Sequence, residues 1–353
     1  ELCMELDALR EMIGRKDEEI ARLISERTEI ARRIGELKHR EGLPIRNVPV
    51  EEKVVKRYIE NFSEYGLSRE AAVSVSSALI KEAVDSEASV PFEGKPMRIA
   101  VVGGAGKMGA WTAGFLEKCG HSVIVIDPAS GNGNTIRDCR GCDAVVVAVP
   151  IRYTDSVLSE LENICGEDTL IFDLTSLKSP ITGRLRSMAS HMKVCSLHPM
   201  FSPSASSLYG RNLIICDCGC GKAVEEAKSL FDDRGGNIRI MDVGEHDGYM
   251  SYVLGLTHAV NIALFTVLER SGYSFKDLLT VSSTTFSKGL DTNMSVASED
   301  PMLYYEIQHL NVHRDEMWDL FSETVEELKK QSLSGDPSGF IGIMDAGRRY
   351  FND

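Results

Sequence analysis

The sequence predicts a multidomain α and α/β protein. A helical domain covers residues 1–91, a doubly wound parallel sheet covers 97–242, and an all-helical domain covers 243–353. Three observations carry this reading. Over residues 5–39, Leu6, Leu9, Ile13, Ile20, Leu23, Ile24, Ile30, Ile34 and Leu37 recur at three- and four-residue steps, the period of a helix face. From 97 to about 242, short β-branched runs alternate with helical stretches, the pattern of a parallel sheet. From 244 to 349 the helical period returns, with Tyr252, Leu256, Val260, Leu264 and Leu268 marking one long apolar helix. A chain of 353 residues also fits two or three domains.

The first helix ends at Gly42 and Pro44. It is too long for an ordinary surface helix, so a partner chain is expected to pack against it. A second helix starts near Pro49, capped by Asn47, and breaks at Gly66. Ser68 caps a third helix running to about Glu87, and residues 89–97 read as a linker. Arg27 and Lys38 fall on one face of the long helix, about 16 Å apart, with Arg10 nearer its start. A solvated charged face is the ordinary meaning of such a pattern.

The central stretch is Arg98-Ile-Ala-Val-Val-Gly-Gly-Ala-Gly-Lys-Met-Gly109. A buried strand turns through Gly104, Gly106 and Gly109 in G-x-G-x-x-G spacing, and Lys107 and Met108 open a helix. A second strand, Ser122–Ile126, ends at Asp127. Glycines admit a pyrophosphate to the backbone, the helix start offers free N–H groups, and an acid accepts from a ribose diol. Together these predict a Rossmann-type dinucleotide site. Asp127 would repel a 2′-phosphate, so NAD is expected rather than NADP.

Further strands are read at Ala144–Val149 and Leu170–Leu174, with another leading through Lys193 to His198. Ligands of such sheets bind outside the carboxyl ends of the strands, where Ser176 and His198 lie. In the last domain His258 sits on the apolar helix, and Gly272, Gly289–Asp291 and Asp300-Pro301 punctuate the chain beyond it.

The net charge of −14 argues against nucleic acid or anionic membrane as partners. With no export pattern and no uninterrupted apolar run of membrane length, a soluble, cytoplasmic protein is expected. Nine cysteines are then expected as reduced thiols. The clusters Cys139–Cys142 and Cys216–Cys220 lack the partners a tetrahedral metal site needs, so no metal is expected.

Residues 9–87 resemble the all-helical chorismate mutase family, through Leu9-Arg-Glu-Met-Ile, Ser25-Glu-Arg-Thr-Glu-Ile-Ala, Gly35-Glu-Leu-Lys38 and Pro44-Ile-Arg-Asn47. The resemblance implies a dimer with interleaved long helices, each site receiving Arg10 from the other chain. It also implies that Arg27 holds a substrate carboxylate, that Lys38 holds the ether oxygen and a carboxylate, and that Asn47 and Glu51 face the ring hydroxyl. Glu87 stands where the family usually has a glutamine directed at the ether oxygen. Val50 and Ala83 replace a usual arginine and serine, and Arg46 is a candidate substitute for the missing cation. Such a site folds a dianion into a pericyclic geometry and stabilises charge on the breaking C–O bond.

Residues 97–350 resemble prephenate dehydrogenase, through the glycine-rich stretch at 102–109, Asp173-Leu-Thr-Ser-Leu-Lys178, Leu197-His-Pro-Met-Phe201, Glu245-His-Asp247, Leu256-Thr-His258 and Glu299-Asp-Pro301. The order of the two parts resembles the bifunctional chorismate mutase/prephenate dehydrogenase family. By that likeness His198 is catalytic at the ring 4-hydroxyl, Ser176 assists it, and His258 lies along the substrate pocket. Ser295 stands where an arginine usually holds a substrate carboxylate, and Lys288 is the candidate replacement. The implied activity is conversion of chorismate to prephenate, then NAD-dependent oxidative decarboxylation to 4-hydroxyphenylpyruvate, by a homodimer for which tyrosine is a candidate effector. Two alternatives remain: a dehydrogenase whose N-terminal helices serve only dimerisation or regulation, and a non-catalytic NAD-binding sensor.

Overall fold

A computed structural model describes residues 2–89 and 94–352, so part of the expected linker lies outside the described residues. The N-terminal helices are α1 (Leu2–Arg40), α2 (Val48–Glu64) and α3 (Arg69–Glu87). Asn47 accepts from the Val50 N–H at the start of α2, and Ser68 from the Ala71 N–H at the start of α3. Both caps therefore act where the sequence places them. Ile45, Ile80 and Val84 form a small core with Val54, Val55 and Tyr209 around it. Most periodic residues of α1 do not join that core: Leu6, Leu9, Ile13, Ile20, Leu23 and Ile30 are exposed. The result is a long exposed apolar stripe along α1.

The next elements are β1 (Arg98–Val102), α4 (Lys107–Lys118), β2 (Ser122–Ile126), β3 (Ala144–Val147), α5 (Ile151–Ile164), β4 (Leu170–Asp173), α6 (Thr182–Ala189), β5 (Val194–Pro199), β6 (Asn212–Asp217), α7 (Gly221–Phe231) and β7 (Asn237–Asp242). Among the described residues they form one seven-stranded sheet in the order β2-β1-β3-β4-β5-β6-β7. Strands β1 to β5 pair in parallel, and the central residues of β1, β3, β4 and β5 are buried, as a two-sided sheet requires, while those of the edge strand β2 are half-buried. The expected all-parallel sheet needs one correction: β6 runs antiparallel to β5, with Leu197 opposite Ile215 and His198 opposite Ile214. Residues 200–211 join them without a crossover helix, and a parallel return would need one.

The remaining chain forms α8 (His246–Met250), a π-helical turn (Ser251–Leu256), α9 (Thr257–Arg270), α10 (Phe275–Thr280), α11 (Thr284–Ala297), α12 (Pro301–Leu310), α13 (Arg314–Ser332) and α14 (Ser338–Asn352). Gly272 and Asp300-Pro301 mark breaks as expected, Gly272 with φ +80° and Asp300 capping α12. Gly289–Asp291 does not. Helix α11 passes straight through it, because Leu290, Asn293 and Val296 form a buried face whose packing outweighs the propensity cost of one glycine. By length and composition alone the stretch His246–Arg270 is apolar enough to span a membrane, although no uninterrupted apolar run marks it in the sequence. Val253, Val260, Leu264 and Val267 on it are exposed.

The described residues fall into two compact units. One holds the N-terminal helices and most of the sheet, through Val149 with Ser156–Leu174 and Leu185–Met241. The other holds Pro150–Asp155, Thr175–Arg184 and the chain from Asp242 onward.

Candidate functional site

In the first unit, β1 ends at Val102 and the chain turns at Gly103, whose φ is +83°. A Cβ there would lie 2.5 Å from the Ala148 carbonyl oxygen, so the turn tolerates only glycine. Gly103 precedes the expected fingerprint, and its signal was the Gly103-Gly104 doublet. Gly106 is the N-cap of α4 and makes no side-chain cap, so the N–H groups of Lys107, Met108 and Gly109 open the helix unclaimed by any capping side chain. Asp127 stands at the end of the adjacent strand. Its Oδ2 accepts from the Ala105 N–H at 3.1 Å and its Oδ1 from the Ala129 N–H at 2.9 Å. The expected set of Gly104, Gly106, Lys107, Met108, Gly109 and Asp127 therefore converges on one loop. An unblocked helix start beside a strand-end acid fits a dinucleotide.

His198 is buried near the end of β5. In the second unit, Ser176 is half-buried three residues beyond β4. The turn that carries it is tied down by Asp247, whose motif is visible in the sequence but whose role is not. The Asp247 carboxylate accepts from the Lys178 N–H at 2.9 Å, from the Ser179 N–H at 2.6 Å, from the Ser179 hydroxyl and from His246 Nδ1 at 2.7 Å. Burial pushes the Asp247 carboxyl up, but the His246 and Ser179 bonds outweigh it and hold it at about 2. The Lys178 ammonium donates to the Thr175 carbonyl at 2.7 Å, closing the same turn from inside. Two sequence-distant segments, Thr175–Ser179 and His246–Asp247, thus form one largely buried polar network.

His258 is buried and stacks on Tyr304 with ring centroids 4.0 Å apart. Burial lowers its pKa to about 4, so the ring is neutral near pH 7. Its Nδ1 has no hydrogen-bond partner among the described residues. Lys288 is exposed on α11, seven residues and nearly two turns from Ser295, on the same helix face.

Among the N-terminal helices, Lys38 Nζ lies 2.5 Å from Glu87 Oε2 and donates to the Ile45 carbonyl at 2.6 Å. Gly35 makes this approach possible: a Cβ there would stand 2.6 Å from the Glu87 Cα. Arg27 donates to the Leu79 carbonyl at 2.8 Å. Asn47 caps α2, while Val50 is exposed. Arg46 does not stand free as a substitute cation. It grips Glu51 through two bonds of 3.1 and 2.8 Å, and its guanidinium lies 5.0 Å over the Tyr209 ring. Arg10 pairs with Asp7 on the surface, about 25 Å along the helix from Arg27, and does not join this group within one chain.

Among the described residues no cluster of three or more His, Cys, Asp or Glu is arranged to hold a metal. Burial raises the thiols of Cys139, Cys142 and Cys165, that of Cys139 to about 12, so none of the three is a ready thiolate.

Three family models match consecutive parts of the chain. Residues 9–88 match chorismate mutase type II. Residues 120–240 match the nucleotide-binding domain of prephenate dehydrogenase, and 242–346 its dimerization domain. The T-protein of Enterobacter agglomerans is 27% identical over 364 residues, covering 100% of this chain and 94% of that protein. A T-protein of Haemophilus influenzae is 25% identical over 99% of this chain and 93% of its own length. Among solved structures, a prephenate dehydrogenase from A. aeolicus, crystallised with hydroxyphenyl propionate and NAD+, aligns with a TM-score of 0.60 at 20% identity. That alignment covers 74% of this chain and 100% of the other. At that identity the likeness is one of fold.

Proposed function

We infer the roles of individual residues from the premise that this chain belongs to the chorismate mutase/prephenate dehydrogenase fusions. It is a bifunctional enzyme of tyrosine biosynthesis that uses NAD. One observation carries this: the three family matches follow one another along the chain, and whole-length relatives share the same order.

We assign the first reaction to residues 1–91. Chorismate rearranges to prephenate by a pericyclic step that needs no nucleophile, only a compact geometry and cations near the breaking C–O bond. Arg27 and Lys38 supply two of these cations, and Arg10 of a second copy supplies the third. Glu51 and Asn47 address the ring hydroxyl. Support for the second copy comes from the exposed apolar stripe of α1 and from the distance that separates Arg10 from Arg27 in one chain.

The second reaction belongs to residues 97–242 and 243–353. The α4 N-terminus and Asp127 would hold NAD, which supplies the hydride acceptor. His198 takes the proton of the 4-hydroxyl as the ring becomes aromatic and carbon dioxide leaves, and Ser176 hydrogen-bonds the same hydroxyl. His258, neutral and with Nδ1 uncommitted, borders the substrate. Lys288 takes the carboxylate in place of an arginine at Ser295. The exposed face of α9 is a dimer contact in keeping with the dimerization-domain match. Tyrosine is the effector to test, and the cytoplasm the expected location.

The test is the full-length protein with chorismate and NAD. Appearance of NADH with 4-hydroxyphenylpyruvate supports both activities. NADH formed from prephenate but not from chorismate would reduce residues 1–91 to a dimerisation or regulatory module.

A further inference from the structure

Within the first compact unit a small set of polar contacts joins the mutase helices to the sheet domain, and three of them end on, or next to, residues of the proposed mutase site. Asp233, in the turn between α7 and β7, sends its Oδ1 to the Ile45 N–H at 2.6 Å. The carbonyl of the same Ile45 receives the Lys38 ammonium at 2.6 Å, and that ammonium pairs with Glu87 at 2.5 Å. Ile45 itself is buried. A continuous line therefore runs from a dehydrogenase-domain carboxylate, through one residue of the α1–α2 loop, to Lys38.

Two neighbouring contacts do the same at other points. Arg234 Nη1 donates to the Ala88 carbonyl at 2.7 Å, at the end of α3 just beyond Glu87. Tyr209 packs on the Ile45–Ile80–Val84 core, stacks under Arg46, and sets its hydroxyl 3.5 Å from Glu51 Oε2. Asp233 also carries a local peculiarity. Among the described residues it alone, apart from glycines, has a positive φ, +54°. A left-handed aspartate is tolerated but not preferred, and it persists where its surroundings hold it. Here the conformation delivers the carboxylate to Ile45.

We propose that Asp233, a residue of the dehydrogenase domain, is a positioning residue for the mutase reaction: by fixing Ile45 it fixes the place of the Lys38 ammonium. The proposal rests on the assignment of Lys38 to the mutase site. It makes the mutase dependent on the neighbouring domain without requiring any group of that domain to touch chorismate.

The experiment compares Asp233→Gly and Asp233→Asn in the full-length protein. Glycine adopts φ +54° freely, so Asp233→Gly removes the acceptor without adding strain. Asparagine keeps an acceptor oxygen and tolerates the same backbone. Mutase kcat/KM is expected to fall about tenfold in Asp233→Gly, as for one lost buried hydrogen bond, and to stay within about twofold in Asp233→Asn. Dehydrogenase kcat and KM should be unchanged in both, and amide exchange over residues 38–47 should quicken only in Asp233→Gly. Unchanged mutase constants in Asp233→Gly would overturn the proposal. So would a parallel loss of both activities, which marks a general loss of structure. If wild type lacks mutase activity, the mutase assignment fails by itself; amide exchange then decides, with unaltered protection over 38–47 in Asp233→Gly refuting the positioning.

Discussion

Lys38 and Glu87, forty-nine residues apart in sequence, meet as a largely buried ion pair of 2.5 Å. The pair places a carboxylate on the cation proposed to serve the mutase reaction. An ionised glutamate offers no N–H or O–H to an ether oxygen and competes with the substrate dianion for Lys38. Glu87→Gln removes the competitor and supplies a donor. Mutase kcat/KM should therefore rise, by about tenfold for one recovered charge-assisted contact, measured by chorismate disappearance. A fall in kcat/KM would show that the carboxylate itself serves the reaction.

Arg10 and Arg27 are separated by about 25 Å along one straight helix, so they can serve one site only from two chains. Arg10→Ala and Arg27→Ala should each lose nearly all mutase activity. Mixed under conditions of subunit exchange, they should regain up to about a quarter of the wild-type value, since heterodimers contain one intact site and one doubly damaged site. Mixing with verified exchange and no recovery would place the whole site within one chain.

His198 is assigned to proton transfer rather than to holding substrate. His198→Asn should lower dehydrogenase kcat by about 10²-fold or more while mutase activity persists. A raised KM with near-normal kcat would make it a binding residue.

Asp127 is tied to the glycine-rich loop through the Ala105 N–H, which leaves the carboxylate at the edge of the proposed ribose site. Asp127→Ala should lower the ratio of kcat/KM for NAD over NADP by about tenfold, the worth of a hydrogen bond to a charged acceptor. An unchanged ratio would remove the acid from cofactor selection.

His258 makes stability depend on pH. Its folded pKa is about 4 because burial disfavours the charged ring, whereas an unfolded histidine titrates near 6.5. Between these values the unfolded chain binds more protons, so stability is full above about 6.5 and is lost as pH falls toward 4. The loss attributable to this group is on the order of 3 kcal/mol. His258→Gln, which cannot titrate, should flatten the fall in Tm between pH 6.5 and 4. Parallel Tm profiles for the two proteins would show that another group controls that range.

Much of this protein was written locally. The caps Asn47 and Ser68, the long period of α1 and the β-branched runs of β1 to β4 act through residues within a turn or two of one another, so the sequence alone locates their helices and strands. The geometry of the glycine-rich loop was legible for the same reason: Gly104, Gly106, Gly109 and Asp127 belong to one β-α-β unit. What needed tertiary structure was every decision between distant groups. Helix α11 continues through Gly289 because a buried face holds it, and β6 turns antiparallel because its connection is short. Arg46 is committed to Glu51 and Tyr209, Lys38 to Glu87 and Ile45, and Asp247 to the turn beyond β4. Residue type specifies that a charge must find a partner; only the packed chain specifies which partner lies within hydrogen-bond reach.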